Sequence, residues 1–268
     1  MEGACVSSIP QGVRQRAALF PLIPLLGTSA LAWCGCTALG QEIHTGPPCQ
    51  AGVVFVADGS GNLRGTFDRL TKAVAYEGLP LGVERVDWSH GTCRIFSDLH
   101  GRSHQRAKGQ DLADQVIAYR RAHPGNRVCL VGHSAGAAII LAAAETLPPG
   151  SVDRIILLAP AVSPSYDLRP ALACACEGID AFYSRRDGIS LLLVAVGTAD
   201  GSWTCAAGRG GFGPVSDGPA DELLYQRLRQ HPWQRDFVGM GHHGGHFGWT
   251  GCACLRACVL PLLVGPRR

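Results

Sequence analysis

A serine stands at the centre of Gly132-His133-Ser134-Ala135-Gly136, between the apolar run Arg127-Val128-Cys129-Leu130-Val131 and an alanine- and leucine-rich stretch from Ala137 to Glu145. The first run reads as a buried strand and the second as a good helix former. The pentapeptide therefore predicts a strand-to-helix turn, with glycine at both ends so that the chain can turn sharply and the helix can lie close to the strand. A hydroxyl presented on such a turn is placed for nucleophilic attack rather than for packing. Serine is a weak nucleophile at neutral pH, so Ser134 needs a base beside it and a third group to orient that base.

For the third group Asp187 is favoured, because it follows a strand read over 179–184 by one short turn. Asp200 is the rival, since 191–196 could form a further strand leading to it. For the base, Gly241-His242-His243-Gly244-Gly245-His246-Phe247-Gly248 offers three histidines. His246 is favoured for its place nearest the terminal helix, with His243 and His242 as alternatives. Together the three histidines look like metal ligands. No H-E-x-x-H occurs, however, and no further ligand stands at a defined spacing, so neither a metal nor any other cofactor is expected. An oxyanion needs backbone donors. The Ala135 amide, directly after the serine, is one, and Gly59 or Ser60 in the loop Asp58-Gly59-Ser60-Gly61-Asn62 is the second. A phosphate cradle is the weaker reading of that loop, because Arg64 stands where the third glycine would be.

The elements that must position these groups alternate from residue 50 onward. Strands are read at 53–57, 82–88, 127–131, 152–159, 179–184 and 235–240. Helices are read at 67–76, 111–123, 137–145 and from 252 to about 260. This alternation predicts an α/β fold, a mostly parallel central sheet flanked by helices in a single domain over 50–265. Aromatic residues Tyr166, Trp203 and Phe212 are candidates for a substrate pocket formed by loops at 88–108, 163–178 and 201–220.

With 46% apolar and 17% charged residues the chain can build a sizeable core. A net charge of +3 without a clustered basic face argues against nucleic acid as a partner; Arg102, His104, Arg106 and Lys108 read as a solvated loop or helix start. Residues 1–40 read as a leader: Arg14 and Arg16 precede a short apolar run at 17–27, and small residues lead to Cys34-Gly35-Cys36. An exported protein is expected, periplasmic, secreted or held at a membrane through a lipidated N-terminal cysteine. The 12 cysteines show no paired zinc spacing, and their disulfide state stays open.

With the elbow sequence, the 58–62 loop, Asp187 and His246, the chain resembles the α/β-hydrolase superfamily over roughly 50–265, its lipases and esterases most of all. The resemblance implies the chain order nucleophile, acid, base that Ser134, Asp187 and His246 follow. It also implies hydrolysis of a small-molecule or lipid ester through an acyl-serine intermediate. An acyltransferase or thioesterase on the same three residues, or a catalytically silent binding protein of the same fold, is the alternative.

Overall fold

The computed structural model describes residues 52–265; the leader expected over 1–40 lies outside them. The strands are β1 (Gly52–Ala57), β2 (Leu81–Arg85), β3 (Arg127–His133), β4 (Arg154–Leu158), β5 (Ile179–Tyr183) and β6 (Leu228–Pro232). They form one parallel sheet in the order β2-β1-β3-β4-β5-β6. Between them run α1 (Gly65–Tyr76), α2 (Ile95–His100), α3 (Arg102–Ala122), α4 (Gly136–Thr146), α5 (Arg169–Cys174), α6 (Gly188–Val196), α7 (Ala207–Gly210) and α8 (Pro219–Tyr225). The chain closes with α9 (Cys252–Cys254), a π-turn at Leu255–Val259 and α10 (Leu260–Val264).

A parallel sheet has both faces covered, so its central strands are apolar on both sides. In β1 the side chains of Val53, Phe55 and Ala57 enter one core with Leu112, Ala113 and Val116 of α3 and Ile139 and Ile140 of α4. Val54 and Val56 enter the other, with Leu70 and Val74 of α1 and Leu255, Val259 and Leu263 of the terminal helix. Each such fully buried aliphatic side chain contributes about 1.5–3 kcal/mol.

Three of the segments read from the sequence differ in the structure, and the short helices α2, α5, α7 and α8 have no counterpart in that reading. The last strand is β6, not 235–240, which forms a 3₁₀ helix, Arg235–Met240. β6 is a polar edge strand, Leu-Arg-Gln-His-Pro, so it carries none of the apolar signal that marks the central strands. Residues 191–196, read as a possible strand, belong to α6, because a short apolar run fits either periodicity. Helix α3 starts at Arg102, nine positions before the expected Asp111, and so takes in the basic patch at 102–108. Among the described residues no helix is long and apolar enough to cross a membrane, and the cysteines are free thiols.

Beneath the N-terminal ends of the strands runs a ladder of charges. Asp180 on β5 is fully buried and accepts hydrogen bonds from Arg154 on β4 at 2.5 Å and from Arg229 and His231 on β6 at 2.7 and 2.8 Å. Glu177 bridges Arg154 to Arg127, and Arg127 reaches the last carbonyls of the terminal helix at Leu262 and Leu263. Burial alone would raise the pKa of Asp180; the hydrogen bonds from His231, Arg229 and Arg154 outweigh it and hold the carboxyl far below the usual range. Asp180→Ala is expected to cost about 3 kcal/mol in denaturant unfolding at neutral pH, because it leaves Arg229 without a carboxylate and the buried Arg154 with Glu177 alone. A depressed folded-state pKa stabilises above the ordinary carboxylate value of 3.8 and ceases to do so as pH falls toward the folded-state value. The gap between wild type and variant should therefore be full at neutral pH and close below about pH 4.

Candidate active site

The chain leaves β1 toward β2 on one side and returns to β3 on the other, which makes the crevice between the carboxyl ends of β1 and β3 the topological switch point. Ser134 follows β3, the 58–62 loop follows β1, Asp187 follows β5, and the segment carrying His246 follows β6. All four arrive at the same edge of the sheet.

Packing explains the elbow. A Cβ at position 132 would come within 2.8 Å of the Ala137 Cα and 2.9 Å of Ile140, and one at 136 would overlap the carbonyl oxygens of Ala57 and Asp58. Helix α4 thus lies directly on β3 and β1, and the chain between them has no room for a wider turn. Ser134 takes the left-handed conformation, φ 52°, which an L-residue adopts only under constraint. Its amide donates to the Leu158 carbonyl, and its own carbonyl accepts from the amides of Ala137 and Ala161.

Ser134, His246 and Asp187 form one hydrogen-bonded chain. The His246 Nε2 lies 2.8 Å from the Ser134 Oγ, and its Nδ1 lies 2.7 Å from the Asp187 Oδ2. All three side chains are buried; Ser134 and His246 line a cleft, and Asp187 lies behind His246. Asp187 caps α6, accepting from the Ser190 amide at 2.9 Å on Oδ1 and from the Ser190 hydroxyl at 2.7 Å on Oδ2. Burial pushes its pKa up, but the hydrogen bond and charge of His246 and the two bonds from Ser190 outweigh this and hold it below the usual value. Asp187 is therefore ionised at neutral pH and accepts the Nδ1 proton. That tautomer leaves the Nε2 lone pair free to take the Ser134 proton.

The histidine loop is tied to the acid loop. The Ser184 hydroxyl donates to the Gly244 carbonyl at 2.7 Å, and Gly244, at φ 93°, lies against the Arg186 side chain. Residues 242 to 247 alternate inward and outward, which turns His246 into the cleft and leaves His243 exposed. His242 is buried elsewhere, packed edge-on against Trp249 with ring centroids 4.3 Å apart, its Nδ1 accepting from the Gly244 amide. Burial and the neighbouring His243 lower its pKa to about 4. Asp200 is also apart: it accepts from the Ser163 amide and the Ser202 hydroxyl, and belongs to a turn.

Gly59 and Ser60 line the cleft, and Ala135 is buried behind Ser134 as the N-cap of α4. Among the described residues their amides donate to no turn, loop or side-chain acceptor. Gly59 sits directly over the elbow, where an added Cβ would stand 3.2 Å from the His133 Nδ1 and 3.3 Å from the Ser134 Cβ. Burial and the adjacent His246 lower the pKa of His133 to about 3, so that ring stays neutral.

Sequence reasoning missed several residues that hold these groups. Asp98, on α2 and fully buried, accepts from the Gly61 amide, the Ser89 hydroxyl, and both the amide and ring Nδ1 of His90. It ties the 58–62 loop to the 89–91 loop. Asp58 caps α1 from a distance, accepting from the Thr66 amide at 2.6 Å and from the Phe67 amide. Ser190 could have been found, since a serine three positions after Asp187 fits a helix start; nothing local marks Asp98.

The cleft holds about 390 Å³. Its apolar wall is formed by Leu63, Ile95, Ile189 and Phe247. Of the aromatic residues expected to line it, Phe212 is buried in the core and Trp203 is exposed. Tyr166 faces a separate small pocket beside α3 and α4. Of the three loops expected to shape the cleft, only 88–108 reaches it, through Ile95.

The sequence matches the family model described as serine aminopeptidase, S33, over residues 49–187, just over half of the chain. The match includes Ser134 and ends on Asp187. No functionally curated protein matches. Among solved structures the chain is similar to a hydrolase of the α/β superfamily from Xanthomonas campestris pv. campestris, at 17% identity over 76% of this chain and 95% of that one, with a TM-score of 0.40. It is similar to a Trichoderma reesei cutinase, at 17% identity over 82% and 78% of the two chains, with a TM-score of 0.39. A third is a lipase-esterase related protein from Clostridium acetobutylicum, at 13% identity over 75% and 90%, with a TM-score of 0.41. With its family match, its parallel sheet and its serine elbow, the chain belongs to the S33 serine aminopeptidase family of α/β-hydrolases and is a serine hydrolase by family.

Proposed function

We propose that this serine hydrolase cleaves carboxylic esters through an acyl-serine intermediate, with Ser134 as nucleophile, His246 as base and then acid, and Asp187 orienting the imidazole. The observation that carries the reading is the unbroken hydrogen-bonded chain from Asp187 through His246 to Ser134, opening onto an apolar cleft.

In the first half-reaction His246 Nε2 takes the Ser134 proton as Oγ bonds to the ester carbonyl carbon. The oxyanion faces the amides of Ala135 and of Gly59 or Ser60. Collapse of the tetrahedral adduct breaks the bond to the alcohol oxygen, which leaves with the proton from His246. Water then repeats the cycle on the acyl-serine, releasing the acid and restoring Ser134.

An ester fits the cleft better than the N-terminus of a peptide does. An aminopeptidase needs a carboxylate to hold the substrate ammonium. The carboxylate lining this cleft, Asp58, is turned to the α1 amides of Thr66 and Phe67. Leu63, Ile95, Ile189 and Phe247 suit an acyl or alkyl group.

A fluorophosphonate probe tests the reading. Wild type should be labelled at one site and Ser134→Ala not at all; a wild type left unlabelled beside a labelled control esterase sinks the proposal. Asp187→Asn keeps the shape of the acid but favours the wrong imidazole tautomer, so ester turnover should fall by roughly 10⁴-fold with the fold intact by circular dichroism. Gly59→Ala pushes the loop off the elbow and should lower kcat by about 10-fold to 100-fold. Steady-state hydrolysis of a p-nitrophenyl ester reads both variants.

A further inference from the structure

We propose that the substrate carries an anionic group, a carboxylate or a phosphate, besides its scissile ester, and that the Arg69 guanidinium receives it. The inference rests on the ester-hydrolase reading and adds the charge of the substrate to it.

Arg69 lies on α1 and lines the same cleft as Ser134 and His246. Its Nη1 donates to the Thr250 hydroxyl oxygen at 2.9 Å, and that hydroxyl donates onward to the Phe247 carbonyl at 2.9 Å. Thr250 is buried, so the guanidinium is tethered to a fixed point on the cleft wall. It reaches back over the first turn of α1, where an added Cβ at Gly65 would come 3.9 Å from Nη1.

No carboxylate of the described residues pairs with it. The acids nearest in sequence are committed elsewhere, Asp68 to Arg64 at 3.5 Å, Glu77 to Arg256 at 2.6 Å and Asp58 to the amides of Thr66 and Phe67. A guanidinium carries five N–H donors in a planar fork matched to carboxylate and phosphate oxygens. Here only Nη1 is engaged, with the Thr250 hydroxyl and carbonyl, and the rest of the exposed fork has no protein partner among the described residues. The wall around it, Leu63, Ile95, Ile189 and Phe247, supplies no counter-charge. A tethered, unpaired cation on the wall of a cleft whose one carboxylate, Asp58, is turned to the α1 amides selects an anion.

Two matched substrate pairs test this. One is p-nitrophenyl hemiglutarate against its methyl-capped form; the other is an acylated glycerol phosphate against the acylated glycerol. Wild type should favour the anionic member of at least one pair by about tenfold or more in kcat/KM, and which pair responds separates carboxylate from phosphate. The ratio should collapse toward one in Arg69→Gln, recover in part in Arg69→Lys, and persist in Arg64→Gln, whose charge is already spent on Asp68. It should also shrink as salt is raised. Protection of Ser134 from the fluorophosphonate probe by glutarate or glycerol phosphate should follow the same order, and needs no turnover. Labelling of wild type with neither a preference for an anionic ester nor protection by either anion overturns this proposal alone. A preference that survives Arg69→Gln does the same. Absence of labelling overturns the hydrolase reading and this proposal with it.

Discussion

Close contact between helix α4 and the two strands beneath it governs the active-site edge of the molecule. At positions 132 and 136 the backbones approach so nearly that only hydrogen fits where a side chain would stand. The three residues between those contacts must reverse direction within one turn, and the reversal forces Ser134 into the left-handed region. The strain is held by three backbone hydrogen bonds and by the apolar core under α4. What the core gains by packing a helix flush against the sheet appears at the surface as a serine hydroxyl aimed into the crevice.

The partners of Ser134 are positioned by different means. Asp187 is locked from below by Ser190 and from the side by the end of β5. His246 arrives on a loop without regular structure. That loop is hydrogen-bonded to the acid loop through Ser184, lies against Arg186, and packs on the elbow through the His133 ring. Acid and base therefore move as one unit, and the hydrogen bond to Ser134 joins that unit to the rigid half of the site. The second donor expected for the oxyanion, Gly59 or Ser60, comes from a third source, a loop held in place by Asp98 and by the Trp88 indole, which donates to the Asp58 carbonyl.

How much of this was legible in the sequence depended on whether burial or partnership decides a residue's place. The central strands and the elbow were readable because apolar runs and paired glycines have few other uses. Asp187 and His246 were readable as candidates from their places after strands, and the structure brings them to Ser134. β6 was not readable. Its residues are chosen by what lies across the ladder, Arg229 and His231 answering Asp180 rather than a hydrophobic core. Helix α6 was ambiguous for the opposite reason: Leu191, Leu192 and Val194 are apolar yet face outward, so the pattern carries no amphipathic period. Asp98 and Arg69 gain their meaning only from residues far along the chain, which no local pattern reports.

Helix α6 also ties function to a weak part of the fold. Of its nine residues only Ser190 and Leu193 are buried, and the first of these is the residue that grips Asp187. Little apolar area anchors the later turns of the helix, and the first is held by polar bonds instead, from the Ala206 amide to the Ser190 carbonyl and from Arg209 to the Asp187 carbonyl. Loss of that turn would release both Ser190 bonds at once and leave the carboxylate held chiefly by the imidazole it has to orient. The aim of the catalytic acid thus rests on a handful of polar bonds at one end of an exposed helix, and not on the apolar core that holds the nucleophile.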